Sequence, residues 1–295
     1  MQTINIQFTL FSAFYSPLIT TIASGSLQKE GLDPKWSVAP AGTSALDALL
    51  DGTAHVVQSA LSQGFNASAT NEAARVKHFA QVNEMDGFFL TAREPDAEFD
   101  WKKLEGSKVL LFGAGQPLVM FKYACHRASI DFSKIEIINC GGAAAMDKAF
   151  REGQGDYVQQ QGPFPQQIEF DKLGHIVARV GTKIGPCGFS SLAATPQWLQ
   201  TDMAKAFVRA YRKARLYMNE APASEIATLL QPYFPDIDLE VLKKCIESYQ
   251  QLGCWTPHIE ITNDAFNATL DIYQQSGGLK SRHPYNDVCS LPPVV

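Results

Sequence analysis

The sequence predicts an α/β protein of two lobes, each a mixed sheet flanked by helices, joined by two hinge crossings. Three observations predict it. A strand–turn–helix–strand plan occurs twice, about 100 residues apart. Apolar side chains alternate with period two where each copy opens, as a half-buried strand requires. The length of 295 residues suits one large or two medium domains.

The first copy opens with Ile4, Ile6, Phe8 and Leu10 alternating. A loop, Ser16-Pro17-Leu18 and a helix to Glu30 follow. The second opens at Lys108–Phe112, then a Gly-rich loop, Gln116-Pro117-Leu118 and a helix to Ala128. Proline at the first helical position is pre-set in φ and lacks an N–H that would be unpaired there anyway. Turns at Leu32–Trp36 and Ile130–Lys134 lead into strands at Ser37–Ala39 and Ile135–Asn139. Gly42 with the helix Thr43–Leu50 then matches Gly142 with the helix Ala143–Phe150. The third strands, His55–Ser59 and Asp156–Gln160, both end in polar residues.

Strand pairs at Val76–Val82 with Gly87–Arg93, and at Gly174–Val180 with Gly188–Ala194, read as the crossings. One lobe is therefore expected to hold residues 1–92 plus 191–295, the other residues 93–190. The remainder is helical: Asp202–Asn219, Ser224–Leu230, Leu239–Leu252 and Asn263–Gln275, closed by an extended surface tail. Asp202–Asn219 is amphipathic, and Lys205, Arg209, Arg212, Lys213 and Arg215 are expected on its solvated face.

Composition excludes several classes. Net charge is −5, with no basic block, so nucleic acid is not an expected partner. No stretch of about 18 apolar residues is present to span a membrane. The N-terminus enters a strand at once, which predicts a cytoplasmic protein, or a periplasmic one if a signal segment has been removed. The six cysteines and six histidines are dispersed. No zinc spacing, H-E-x-x-H pattern or G-x-S-x-G elbow occurs, so neither a metal, a cofactor nor a hydrolytic triad is expected.

In open α/β sheets ligands lie beyond the carboxyl ends of strands, beside helix N-termini. That rule selects the candidates. Phe14, Tyr15 and Ser16 follow the first strand and either line a cleft, stacking on a flat ligand, or anchor the loop. Gly42 and Thr43 follow the second, where a helix cap alone could explain the hydroxyl. Gln58 and Ser59 end the third.

In the other lobe Gly113, Gly115 and Gln116 form a Gly-rich helix start without G-x-G-x-x-G spacing. Gly142 opens the next helix. Of three consecutive glutamines, Gln159 and Gln161 are placed toward the cleft and Gln160 away, since strand residues alternate. Cys187 lies in the loop Ile184–Ser190 at the return crossing.

Ser16-Pro17-Leu18, Glu30-Gly31-Leu32, Gly42-Thr43 and Leu49–Ala54 together resemble the type II periplasmic-binding-protein superfamily. The branch is the one holding sulfonate, nitrate and thiamine-precursor binders and the fungal thiamine-pyrimidine synthase. The resemblance implies a small-molecule ligand, thiamine-precursor-like or sulfonate-like, between the lobes, and an ABC permease partner only if the chain is exported.

The synthase branch implies a lysine holding pyridoxal phosphate where this chain has Ser59, and a histidine where it has Gln63. It also implies a cysteine-rich loop where only Cys187 remains, in Pro186–Ser190. A hydroxyl cannot form a Schiff base, nor an amide act as base. A binding protein is therefore expected; the alternative is an enzyme of thiamine-pyrimidine biosynthesis with an altered site, using Cys187, Asp156 or His55.

Overall fold

The computed structural model describes residues 1–40, 43, 45–69 and 75–295, with only the backbone at 66–69. Two five-stranded sheets form the two lobes. The first runs β2-β1-β3-β10-β4, from β1 (Gln2–Phe8), β2 (Leu32–Val38), β3 (Val56–Ser59), β4 (Lys77–Asn83) and β10 (Ser190–Ala194). The second runs β7-β6-β8-β5-β9, from β5 (Phe88–Ala92), β6 (Lys108–Leu110), β7 (Glu136–Ile138), β8 (Tyr157–Gln161) and β9 (His175–Arg179).

The two orders are the same pattern. In each, a central strand pairs in parallel with two neighbours, β1 with β2 and β3, β6 with β7 and β8. In each, the fourth place is taken by one antiparallel strand, β10 in the first and β5 in the second. Each sheet is thus completed by a strand that follows a crossing from the other lobe. The repeat seen in the sequence is a repeat of this topology.

Those pairings correct the expected boundaries. The sequence places Phe88–Ala92 in the first lobe, but it hydrogen-bonds to β8 and β9 in the second sheet. It places Ser190 in the second, but that residue lies in β10 between β3 and β4. The crossings are residues 84–87 and 185–189. They run side by side, with Cys187 N donating to Glu84 O at 2.9 Å and Phe189 N to Asn83 O at 3.1 Å.

β1 buries Ile4, Ile6 and Phe8, as its alternation requires. β3 is buried along its whole length, because helices cover both faces of a parallel pair. β2 begins at Leu32, not at Ser37; Pro34 is tolerated because β2 is an edge strand. The first helix stops at Ala23, and Gly25, at φ 73°, starts a separate turn of helix, Ser26–Lys29. Within Thr43–Leu50 the described helix is only Asp47–Leu50. A helix at Leu61–Ala69, directly after β3, was not foreseen.

The helix Asp202–Glu220 packs on Ser16–Ala23. Arg209 and Lys213 on it pair with Glu30, and Arg212 with Glu260. Arg215 departs from the expected solvated stripe. It is fully buried and its guanidinium donates to the carbonyls of Val82, Thr256 and His258. Its position four residues after buried Tyr211 puts it on the packed face. The tail runs over the first sheet, where Lys77 Nζ donates to the carbonyls of Asn286 and Asp287.

Candidate functional site

The lobes enclose a cavity of about 520 Å³ beyond the carboxyl ends of the first-sheet strands. Its walls come from both lobes and from the C-terminal helices. The first lobe supplies Tyr15, Gln58 and Ser59 and, from the helix after β3, Ser62, Gln63 and Phe65. Phe88, Phe112, Gly115, Gln116 and Gln161 come from the second lobe, Phe189 and Ser190 from the return crossing and the start of β10, and Tyr273 from the helix Asn263–Gln275.

Side chains reach across the gap. Gln116 Nε2 reaches the return crossing, donating to Phe189 O at 2.9 Å. Ser12 Oγ lies 3.3 Å from both Gln161 Oε1 and Gly162 O. Tyr15 is buried, which pushes its hydroxyl pKa up; hydrogen bonding to Gln161 and Ser190 pulls the other way, and Asp86 adds a push upward. Ser59 Oγ is buried on the wall with no protein partner. Gln58 is committed to the loop after β1: its Oε1 accepts from Thr9 N at 3.2 Å and Leu10 N at 3.4 Å.

Of the residues singled out in the sequence, Tyr15, Gln58, Ser59, Gly115, Gln116 and Gln161 line this cavity. Phe14 does not. It is fully buried behind the wall, 5.0 Å from the Tyr249 ring and 5.4 Å from the Phe189 ring, so it anchors the loop. Ser16 is buried and its Oγ donates to Ala13 O at 2.6 Å, closing the short turn that starts the helix. Thr43 is exposed, its hydroxyl donating to Pro40 O at 2.7 Å; Gly42 lies outside the described residues.

Gly113 packs against Asn139, where an added Cβ would come within 2.5 Å of Nδ2. Gly142 caps Ala143–Arg151 away from the main cavity. A smaller hollow of about 60 Å³ beside Ala143 shares Leu10, Phe88, Phe112 and Gln161 with it. The expected strand phase is half right. Gln161 reaches the cavity and Gln160 turns away to donate to Ala143 O at 3.1 Å. Gln159, two residues deeper, is fully buried and does not reach the cavity. Cys187 is also fully buried, and burial pushes its thiol far up, so it is neither exposed to the cleft nor nucleophilic.

The residues missed in the sequence are mostly aromatic. Phe65 follows a strand end by one helical turn, so the rule that found Ser59 could have found it. Phe88 sits at a crossing whose boundary was misplaced. Tyr273 carries no local signal, because only the packing of a distant helix brings it to the wall.

One other close polar pair stands out among the described residues. His78 Nδ1 lies 2.7 Å from Ser191 Oγ, but burial pushes its pKa down to about 4 and the pair lies beneath the tail, outside the cavity. Among the described residues no three His, Cys, Asp or Glu side chains converge on a metal position. Nor is any described helix long and apolar enough to cross a membrane.

The model of the family described as NMT1/THI5 like matches residues 14–225, which include the whole second sheet, every strand of the first except β1, and most of the cavity wall. The chain belongs to the NMT1/THI5-like family. A relative from Bacillus subtilis (strain 168), named "Putative binding protein YtlA", is 29% identical over 281 residues, covering 94% of this chain and 84% of its own. This NMT1/THI5-like chain also superposes on the periplasmic aliphatic sulphonate binding protein SsuA from Escherichia coli with a TM-score of 0.76. Identity there is 16%, with 99% of this chain and 93% of the other covered. The ligand-binding component of an ABC-type import system from Staphylococcus aureus gives a TM-score of 0.75 at 16% identity, covering 99% and 97%. At such identities the likeness is one of fold: the two-lobed periplasmic-binding-protein fold.

Proposed function

We propose that the chain is a solute-binding protein that holds a small polar molecule in the cavity between its lobes. The observation that carries this reading is the shared wall: Tyr15 and Ser59 from one lobe face Gln116 and Gln161 from the other across a volume of small-ligand size. Bonds across the gap, such as Ser12 to Gln161, supply contacts that closure makes and opening breaks. The named binding protein among its relatives supports the same reading.

The synthase branch of the family implies pyridoxal phosphate held on a lysine, and the cavity residues do not fit it. Among the described wall residues there is no lysine, so no amine is present to form the Schiff base. The thiamine-pyrimidine synthase reading is not carried further. A permease partner belongs to this proposal only for an exported chain.

Native mass spectrometry of the freshly purified protein tests the proposal. A bound small molecule is expected on the wild type and lost from Ser59→Trp, whose indole fills the cavity. Retention of the same mass by a folded Ser59→Trp protein would place the ligand elsewhere.

A further inference from the structure

The described wall of the cavity carries no Lys, Arg, His, Asp or Glu. Its polar groups are neutral hydroxyls and carboxamides, and half of the wall residues other than Ser, Thr and Gln are aromatic. Phe65 and Tyr273, 5.7 Å apart, stand on one side, and Phe88 and Phe112, 6.4 Å apart, on the other. A buried ionic group needs a counter-charge or a full set of hydrogen bonds, and without them its transfer from water is prohibitive.

The polar features present suit a neutral acceptor and donor instead. The helix Gly115–Arg127 opens onto the cavity at Gly115 and Gln116, and its N-cap, Ala114, offers no side-chain cap. Its amides can receive a carbonyl or sulfonyl oxygen through a partial positive charge of about one half. Ser59 Oγ, buried and without a protein partner, supplies a second hydrogen-bonding position on the facing lobe.

Resting on the binding-protein reading, we infer that the cleft takes an uncharged ligand with a flat conjugated ring and a carboxamide-like edge, and rejects ring carboxylates and sulfonates. Aromatic faces from the two sides contact the ring, while the Gly115–Gln116 amides and Ser59 bind its edge. This sets the chain apart from the sulfonate binder whose fold it shares.

A matched pair of probes tests the inference at neutral pH: nicotinamide and nicotinate, alike in shape and different in charge. Titration followed by saturation-transfer NMR and calorimetry is expected to show nicotinamide binding and nicotinate weaker by at least about tenfold. Ser62→Lys places an ammonium at the rim and is expected to reverse that preference.

Equal or tighter binding of nicotinate by the wild type would overturn the inference, and so would failure of both probes to bind at millimolar concentration. The two readings fail separately. Nicotinate binding that Ser59→Trp abolishes would sink the ligand class and keep the cleft. Nicotinamide binding that survives in a folded Ser59→Trp protein would sink the cleft itself.

Discussion

The hydroxyl of Tyr249 accepts a hydrogen bond from the Gly162 amide at 2.7 Å and donates one at 3.2 Å to the carbonyl of Gly87. Gly162 follows the last residue of β8, and Gly87 lies in the first crossing. One side chain of the helix Leu239–Leu252 therefore ties the second lobe to the hinge. The chain passes between the lobes twice, and this phenol adds a further attachment, made by a helix that packs also on Phe164–Phe170.

Tyr249→Phe removes the hydroxyl and leaves two buried backbone groups without their partner. A loss of about 1–3 kcal/mol is expected in urea unfolding, since each such group forfeits its solvation. An unchanged midpoint would show that both groups find other partners.

Asp86 and His78 give opposing pH dependences. Burial pushes the Asp86 carboxyl from its ordinary 3.8 up to about 7, with Phe88 N pulling it back slightly. The folded state then holds the proton more tightly, so this contribution to stability is lost as pH rises from about 4 to about 7. Burial takes His78 from 6.5 down to about 4, so its contribution is lost as pH falls across nearly the same window. Asp86→Asn should make stability rise more steeply with pH there, and His78→Asn should make it fall, each changing the slope by up to about 1.4 kcal/mol per pH unit. Denaturant titrations from pH 4 to pH 7 read both slopes.

Gly87→Ala should destabilise through the hinge. A Cβ at Gly87 would come within 2.1 Å of the Phe14 ring, which is wedged between Phe189 and Tyr249 and cannot retreat. An overpacking cost of about 1–3 kcal/mol is expected in chemical denaturation. Gly31→Ala is the contrast: nothing lies within 4 Å of its Cβ, so its cost should come from its left-handed φ of +81° alone.

Arg215→Met keeps the length of the buried side chain and deletes its donors. The carbonyls of Val82, Thr256 and His258 lose their partner, and a cost of about 3 kcal/mol or more is expected. Arg209→Met, which removes one exposed pair with Glu30, should cost under about 1 kcal/mol. Comparing thermal midpoints of the two variants separates the buried role from the surface one.

The architecture was legible where local pattern and global packing agree. Ile4, Ile6 and Phe8 announced a strand, Pro17 and Pro117 announced helix starts, and the matching strand ends put Ser59 and Gln161 near one gap. Strand exchange was not legible, because a crossing strand reads the same whichever sheet receives it; Phe88 and Ser190 were accordingly placed in the wrong lobes. Arg215 was misread because charge outweighed helical phase. Gln159 and Cys187 were misread because residue type says nothing of depth, and a group a few ångströms behind a wall is chemically silent.

The exchange of β5 and β10 bears on how the chain forms. All strands of the second sheet come from the continuous stretch 88–179, so it can close as soon as that stretch exists. The first sheet has its first four strands by residue 83 but stays split, since β10 must enter between β3 and β4. Until residue 194 has been synthesised, β3 and β4 present unpaired edges. The second lobe is thus placed to fold early and to deliver β10 as a clasp, and the N-terminal half depends on a segment made more than a hundred residues later.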